Sequence, residues 1–367
     1  METIKIKDVT SHLERLAPLT YQESYDNSGL LTGNLEWPVT GILVTLDCIE
    51  KVIDEAIALK YNLIVAHHPI LFKGIKKITG GNYVERTLIK AIKNDIAIYA
   101  IHTNLDNIYQ GVNKKIAEKL GLIDLEVLAT RPSTLSNLVT FIPRENVETV
   151  MSALHQAGAG EVGNYKNCSF RIDGIGTFEP DEMAKPHIGE ANRLENVDET
   201  RVEMIFGSHL EKDVLRALRD SHPYEEVAYY LTPLSNLNQQ VGAGMLGTLP
   251  KAMGAKEFLE HLKGVMNAAY IRHTALPTTP VKNIAICGGA GSFLLGTAIS
   301  RNADVFVSAD FKYHEFFDAE DRILIADIGH YESEQFTKEL LKDVLREKFP
   351  NFAINFSKTV TNPISYL

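Results

Sequence analysis

Three stretches of this sequence end an apolar run in residues suited to binding metal. NLIVAHHP carries His67 and His68, IAIYAIHTNLD carries Asp106, and LIADIGHYESEQF carries His330 and Glu334. The apolar residues before His67 predict a buried strand, and Pro69 bars its predecessor from continuing as helix. Adjacent residues leaving a strand point in different directions, so His67 and His68 could each serve a different ion. Asp106 follows its own predicted strand after a short polar stretch, which puts its carboxylate on the same rim. His102 and Asn104 are further candidates there. His102 directly follows the strand and is read as orienting the turn from behind the ligands. His330 and Glu334 stand at i and i+4 where a helix begins, so an imidazole and a carboxylate share one face. Each stretch alone has an ordinary reading: incidental histidines in a polar loop, an Asp capping a turn, or a carboxylate meeting a helix dipole. Their common position at strand ends favours a single site, because ligands of open α/β sheets bind at the carboxyl rim.

Three histidines and two carboxylates make a nitrogen and oxygen donor set suited to zinc, iron or manganese rather than to calcium, magnesium or a thiolate site. Five side chains do not close two sites, so water must fill open positions and Glu334 can bridge, as in catalytic metal centres. A hydroxide held between two ions about 3.5–4 Å apart is a competent nucleophile at neutral pH. The expected cofactor is therefore two divalent transition-metal ions per chain, zinc first and iron or manganese as alternatives, and the expected chemistry is hydrolysis. Two more runs look towards this rim. In ICGGAGSFL, Gly288, Gly289 and Gly291 could let backbone amides approach an anion such as phosphate, although tight strand-to-helix packing explains them as well. In SADFKYHE, Asp310 and His314 follow another buried strand, where His314 is a candidate general acid or a partner behind the ligands.

The elements that must position these residues are legible from run length and period. GILVTLD, a helical pattern over 50–60 and NLIVAHH make a β-α-β unit. Helices over 83–94 and 112–120 flank a buried strand over 96–101, so the first part reads as α/β with a parallel sheet. Strands over 138–142, 169–178, 202–206 and 226–231 alternate with helices over 145–156 and 210–221, two β-α-β units that read as a ferredoxin-like module. The α/β texture then returns with strands over 283–287, 305–308 and 323–327 and a helix over 333–348. The expected architecture is one α/β domain, residues 1–130 and 237–367, interrupted by a module at 131–236; three serial domains are the alternative. Metal ligands in both flanking parts favour the split domain.

Composition narrows the class. A chain of 367 residues with 45% hydrophobic content can bury a substantial core. METIKIKDVT has no apolar stretch behind its charges, and no run approaches the roughly 20 apolar residues of a membrane helix. Cys48, Cys168 and Cys287 are scattered singly, without disulfide-framework or zinc spacing, which suits a reducing compartment, the cytoplasm by default. A net charge of −10 argues against nucleic acid as a partner, and the KGIKK cluster reads as a solvated loop.

Motifs spread over essentially the whole chain resemble those of the Nif-three-like dinuclear metal-centre proteins, the GTP cyclohydrolase 1 type 2 family: YDNSGLLTG, NLIVAHHPILFKG, AIHTNLDN, GVNKKIAEKLGL, CGGAGSF and IADIGHYESE. SHPYEEVAYYLTPL resembles the inserted PII- and CutA-like domain of the family's longer bacterial members. The resemblance implies metal ligands at His67, His68, Asp106, His330 and Glu334, a toroidal homohexamer built as a trimer of dimers with the metal sites facing inward, and hydrolytic opening of the GTP imidazole ring. Formate release in that reaction would need a proton donor such as His314. Tyr25 stands before Asp26 and Asn27 where the family usually has Trp, so an aromatic is kept. The alternatives are hydrolysis of another nucleotide or a phosphoester, and a non-enzymatic sensor or adaptor whose insert binds a small molecule or partner.

Overall fold

The computed structural model describes residues 3–367. It divides into two compact units, Met1–Thr130 with Gln239–Leu367, and Arg131–Asn238. The larger unit is α/β and contains two sheets. The first runs in the order Gly29–Thr32, Ala97–Ala100, Leu63–Ala66, Ile42–Thr45, Ile354–Phe356; the second runs Arg272–His273, Leu324–Asp327, Val305–Ala309, Val281–Ala290, Gly242–Met253, Ile123–Thr130.

Each half of the sequence builds most of one sheet and lends a strand to the other. Ile354–Phe356 pairs in parallel with Ile42–Thr45, while Ile123–Thr130 pairs antiparallel with Gly242–Met253, with Thr130 opposite Gly242. The chain therefore leaves for the insert from one strand and returns on its neighbour. The 123–130, 242–253 and 354–356 strands escape the sequence reading. So do the helices Ile6–Leu16 and Ala255–Val265. Ile123–Thr130 reads IDLEVLAT, with charges on its outward-facing positions and no long apolar run to mark it.

Alternation along the strands sorts their residues between faces, as a two-residue period requires. Ile42, Val44, Leu63, Val65 and Tyr99 join Ile284, Ile286, Val305 and Val307 in one central cluster with the helices Ile6–Leu16, Val112–Lys119, Ala255–Val265 and Thr337–Lys348. Leu43, Ile64 and Ile98 face the other way, onto Glu50–Leu59 and Tyr83–Lys93. Ala285, Phe306 and Ile325 do the same on the second sheet, under Leu295–Ser300. Both sheets thus share one buried layer. The predicted helix over 333–348 is two helices, His330–Glu334 and Thr337–Lys348, separated at Gln335 and Phe336.

The smaller unit is a four-stranded antiparallel sheet in the order Phe170–Phe178, Glu195–Gly207, Leu135–Pro143, Tyr229–Leu234. Val147–Gln156 and Glu211–Ser221 cover one face, with Val150, Leu154, Val214 and Leu218 buried against Leu138, Val202 and Phe206. The βαββαβ order is ferredoxin-like. Among the described residues no helix is long and apolar enough to cross a membrane.

Phe306, fully buried with its ring edge-on to Phe311, anchors the strand that delivers Asp310. Phe306→Ala should cost about 3–5 kcal/mol, read as a lower denaturant midpoint for the larger unit.

Candidate metal centre

Four loops converge at the carboxyl ends of the parallel strands. Leu63–Ala66 releases His67 and His68, Ala97–Ala100 releases His102 and the turn Thr103–Asp106, Val305–Ala309 releases Asp310, and Leu324–Asp327 releases the short helix His330–Glu334. The fold brings together all five residues singled out as ligands. His67 Nε2 lies 3.6 Å from Asp106 Oδ1 and 3.9 Å from Glu334 Oε1. On the other side, Glu334 Oε2 is 2.8 Å from His68 Nε2 and 3.1 Å from His330 Nε2. The two oxygens of one buried carboxylate thus face two different sets of donors.

The outer nitrogens show why the inner ones converge. His67 Nδ1 bonds to the Ile101 carbonyl, His68 Nδ1 to Asp47, His102 Nδ1 to Asp26 and His330 Nδ1 to Asp310, each at 2.7–2.8 Å. A histidine ligand characteristically donates its second N–H to a carboxylate or carbonyl, which fixes the ring and aims the free nitrogen at the ion. Asp47, Asp26 and Asp310 are themselves held. Asp47 accepts from the Thr361 hydroxyl, and Asp26 accepts from the Thr103 amide. Asp310 sits at φ 59°, a left-handed conformation uncommon for a non-glycine residue.

Two buried atoms in this cluster, His67 Nε2 and Asp106 Oδ1, have no hydrogen-bond partner. Leaving each unsatisfied costs about 1–3 kcal/mol, and a cation would satisfy both. His68 Nε2 and His330 Nε2 stand 3.3 Å apart, close to the spacing of two nitrogens on one tetrahedral zinc at bond lengths of about 2.0–2.1 Å. The residues present therefore fit a metal. Three groups have donor atoms close enough to hold one: His67, Asp106 and Glu334; His68, His330 and Glu334; and His67, His68 and His102. His102, read from sequence as a residue behind the ligands, stands near enough to His67 and His68 to be a donor itself. Asn104 does not; it is buried and bonds to the Ala17 carbonyl.

Charge follows the same geometry. Burial opposes ionisation of Glu334, but His330 and His68 overcome it and hold the carboxyl well below its usual range. Burial also opposes charge on His68, but Glu334 and Asp47 raise its pKa to about 9; the same balance with Glu334 and Asp310 raises His330 to about 11. Asp106 is pushed up by burial and then by the Glu334 charge.

Two of the three glycine amides are taken up within the fold. The Gly288 amide donates to Asn113 Oδ1 and the Gly289 amide to Ser333 Oγ, so neither is available to a phosphate. Asn113 also donates to the Asp106 carbonyl, tying that turn to the end of the 281–290 strand. Gly289 has φ 64°, and a Cβ there would stand 2.4 Å from Glu334 Oε1. Glycine is what lets the strand end pass beside the Glu334 carboxylate. His314 is not brought to the cluster. It lies exposed in the turn Tyr313–Ala319, beside the rings of Tyr313 and Phe317 and outside the cavity lining, because that turn carries the chain away from the rim.

Above the cluster is a cavity of about 470 Å³, walled by Tyr25, Phe72, Phe293 and the 362–364 segment. Sequence reasoning missed Asp47 and the role of this segment. Asp47 closes the run GILVTLD, the same strand-end signal that marked the histidines, whereas a polar segment near residue 362 carries no such signal.

A family model described as Duf34/NIF3 (NGG1p interacting factor 3) matches residues 4–363. The chain is 39% identical over 372 residues to a Bacillus subtilis protein called GTP cyclohydrolase 1 type 2 homolog, covering all of both chains. It is also similar to the crystal structure of a Bacillus cereus protein related to NIF3, with a TM-score of 0.89 at 37% identity and full coverage of both chains. A Staphylococcus aureus protein structure matches with a TM-score of 0.79 at 30% identity, again over the whole of both chains.

Gly289→Ala should at least halve the metal retained by purified protein, measured by inductively coupled plasma mass spectrometry, while far-ultraviolet circular dichroism stays unchanged. Metal uptake should also be proton-coupled. Imidazoles charged in the metal-free protein must lose their protons to become ligands. Titration calorimetry in buffers of different ionisation enthalpy should therefore show proton release at neutral pH, with affinity rising from pH 6 to 8.

Proposed function

We propose that this chain, which belongs to the Duf34/NIF3 family, holds two divalent transition-metal ions and uses them to hydrolyse a nucleotide. The observation that carries the reading is the buried Glu334 carboxylate, with one oxygen facing His67 and Asp106 and the other facing His68 and His330. His67, Asp106 and Glu334 would hold one ion, and His68, His330 and Glu334 the other, with His102 adjoining. When bound, such ions supply Lewis acidity and lower the pKa of water, chemistry suited to hydrolysis at neutral pH. Zinc is the first choice, and iron and manganese suit the same donors.

This chain's own residues do the rest. Asp47, Asp26 and Asp310 orient the histidines, and the half-open cavity gives a substrate access that a closed structural site lacks. Tyr25, Phe72 and Phe293 offer exposed aromatic surface around the opening, suited to a planar base. Opening of the GTP imidazole ring is the specific reaction that the names of the relatives point to. Assembly into a homohexamer, a trimer of dimers, belongs to the same reading, and light scattering on purified protein should then give a mass six times that of the chain.

Metal content and formate release from GTP, measured side by side on the native protein and on His68→Ala, test the proposal. The expected result is about two ions per chain in the native protein, with metal and formate release lost together in the variant. Bound metal without formate at any loading would eliminate GTP ring opening and leave hydrolysis of other nucleotides to be assayed. Absence of bound metal would defeat the reading.

A further inference from the structure

The inserted module contains a cavity of its own, about 600 Å³, between the outer face of the strands Phe170–Phe178 and Glu195–Gly207 and the chain around Tyr224. Its volume falls within the range of small-molecule sites, about 300–1,000 Å³. Most of its wall is apolar: Phe141, Ile175, Phe178 and Ile188 line it. In its floor is one buried carboxylate, Glu199, 8% exposed.

Among the described residues that carboxylate has no cationic partner. The Tyr224 hydroxyl donates to Glu199 Oε1 at 2.9 Å. Arg144 and Arg201, the nearby arginines, pair instead with Asp173 and Glu203. His222 is close, but both its nitrogens are engaged: Nε2 donates to the Phe141 carbonyl and Nδ1 accepts from the Tyr224 amide. It is therefore a neutral tautomer, and burial lowers its pKa further. Among the described residues no lysine, arginine or histidine forms an ion pair with Glu199. A charge buried without a counter-charge is costly, and buried carboxylates are ordinarily paired.

The backbone makes room for this group. Gly174 stands opposite Glu199 in the ladder, and a Cβ on Gly176 would lie 2.0 Å from Glu199 Oε2. Any side chain at 176 would evict the carboxylate. Around it, the Tyr224 ring lies 5.8 Å from Phe178, 5.1 Å from His222 and 6.5 Å from His187. Aromatic faces beside a buried anion attract a positively charged ligand, because the ring quadrupole and the carboxylate act with the same sign. The rim adds Asp173, Glu179, Glu225 and Glu226 against Arg201.

We propose that the inserted module binds a small amphipathic organic cation, an ammonium group on an aromatic or aliphatic body, with the ammonium at Glu199 and the body between Phe178, Ile188 and Tyr224. The site lies wholly within the insert and does not rest on the metal reading.

The probe is phenethylamine, titrated into the full chain by calorimetry and saturation-transfer NMR, with 2-phenylethanol and phenylacetate as neutral and anionic counterparts. Phenethylamine should bind at least tenfold more tightly than either. Glu199→Gln, which retains an acceptor for Tyr224, should remove that advantage while leaving 2-phenylethanol unaffected. Phe178→Ala truncates a partly buried wall and should weaken the amine and the alcohol alike, which keeps the test decisive if Glu199→Gln does not fold. Equal affinity for amine and alcohol, amine binding that survives Glu199→Gln or ignores Phe178→Ala, or no amine binding at millimolar concentration would each overturn the proposal.

Discussion

The larger unit is organised around a carboxylate buried among imidazoles. Glu334 is 3% exposed, and three histidine nitrogens lie within 4 Å of its oxygens. A charge in that position must be compensated, and the groups that compensate it come from the ends of two separate sheets. The first sheet supplies His67, His68 and Asp106. Glu334, His330 and Asp310 come from the second. Neither half of the sequence could assemble the cluster alone. The exchange of edge strands, 123–130 into one sheet and 354–356 into the other, ties the two halves together.

Around this centre the structure invests in orientation. Four histidines have their Nδ1 fixed, three by aspartates and one by a carbonyl, and each aspartate follows a different segment. The 357–362 segment extends this outward. Ser357 and Thr359 donate to Glu55, Thr361 donates to Asp47, and Asn362 donates to Glu332. A residue far along the chain thus steadies the carboxylate that steadies His68. Such supports hold a site in the geometry a metal needs before any metal arrives.

The insert follows a separate logic. Its core, around Val150, Val202 and Leu218, is complete within the module, and its exposed face carries the groove at Glu199. The larger unit gathers nitrogen and oxygen donors close enough together to hold a metal ion. The insert instead sets one carboxylate among aromatic rings, an environment suited to a bulkier and softer cation.

The sequence by itself determined the α/β class, the ferredoxin-like module and the strand ends on which His67, His68, Asp106, His330 and Glu334 lie. Apolar runs followed by polar residues report burial and direction locally, and those signals survive without tertiary context. The partners of those residues were decided in three dimensions. Asp47 holds His68 across a strand pair, Asp26 holds His102, and Gly289, near the end of the 281–290 strand, leaves its side-chain volume to Glu334. His102 and His314 both follow buried strands in sequence, yet one faces the cluster and the other faces away. Only the paths of the 103–106 and 313–319 turns separate them. Edge strands such as 123–130, paired on one side only, lack the continuous apolar run that would mark them in sequence. Contacts of long sequence separation fixed these features, because no local period encodes a partner tens or hundreds of residues away.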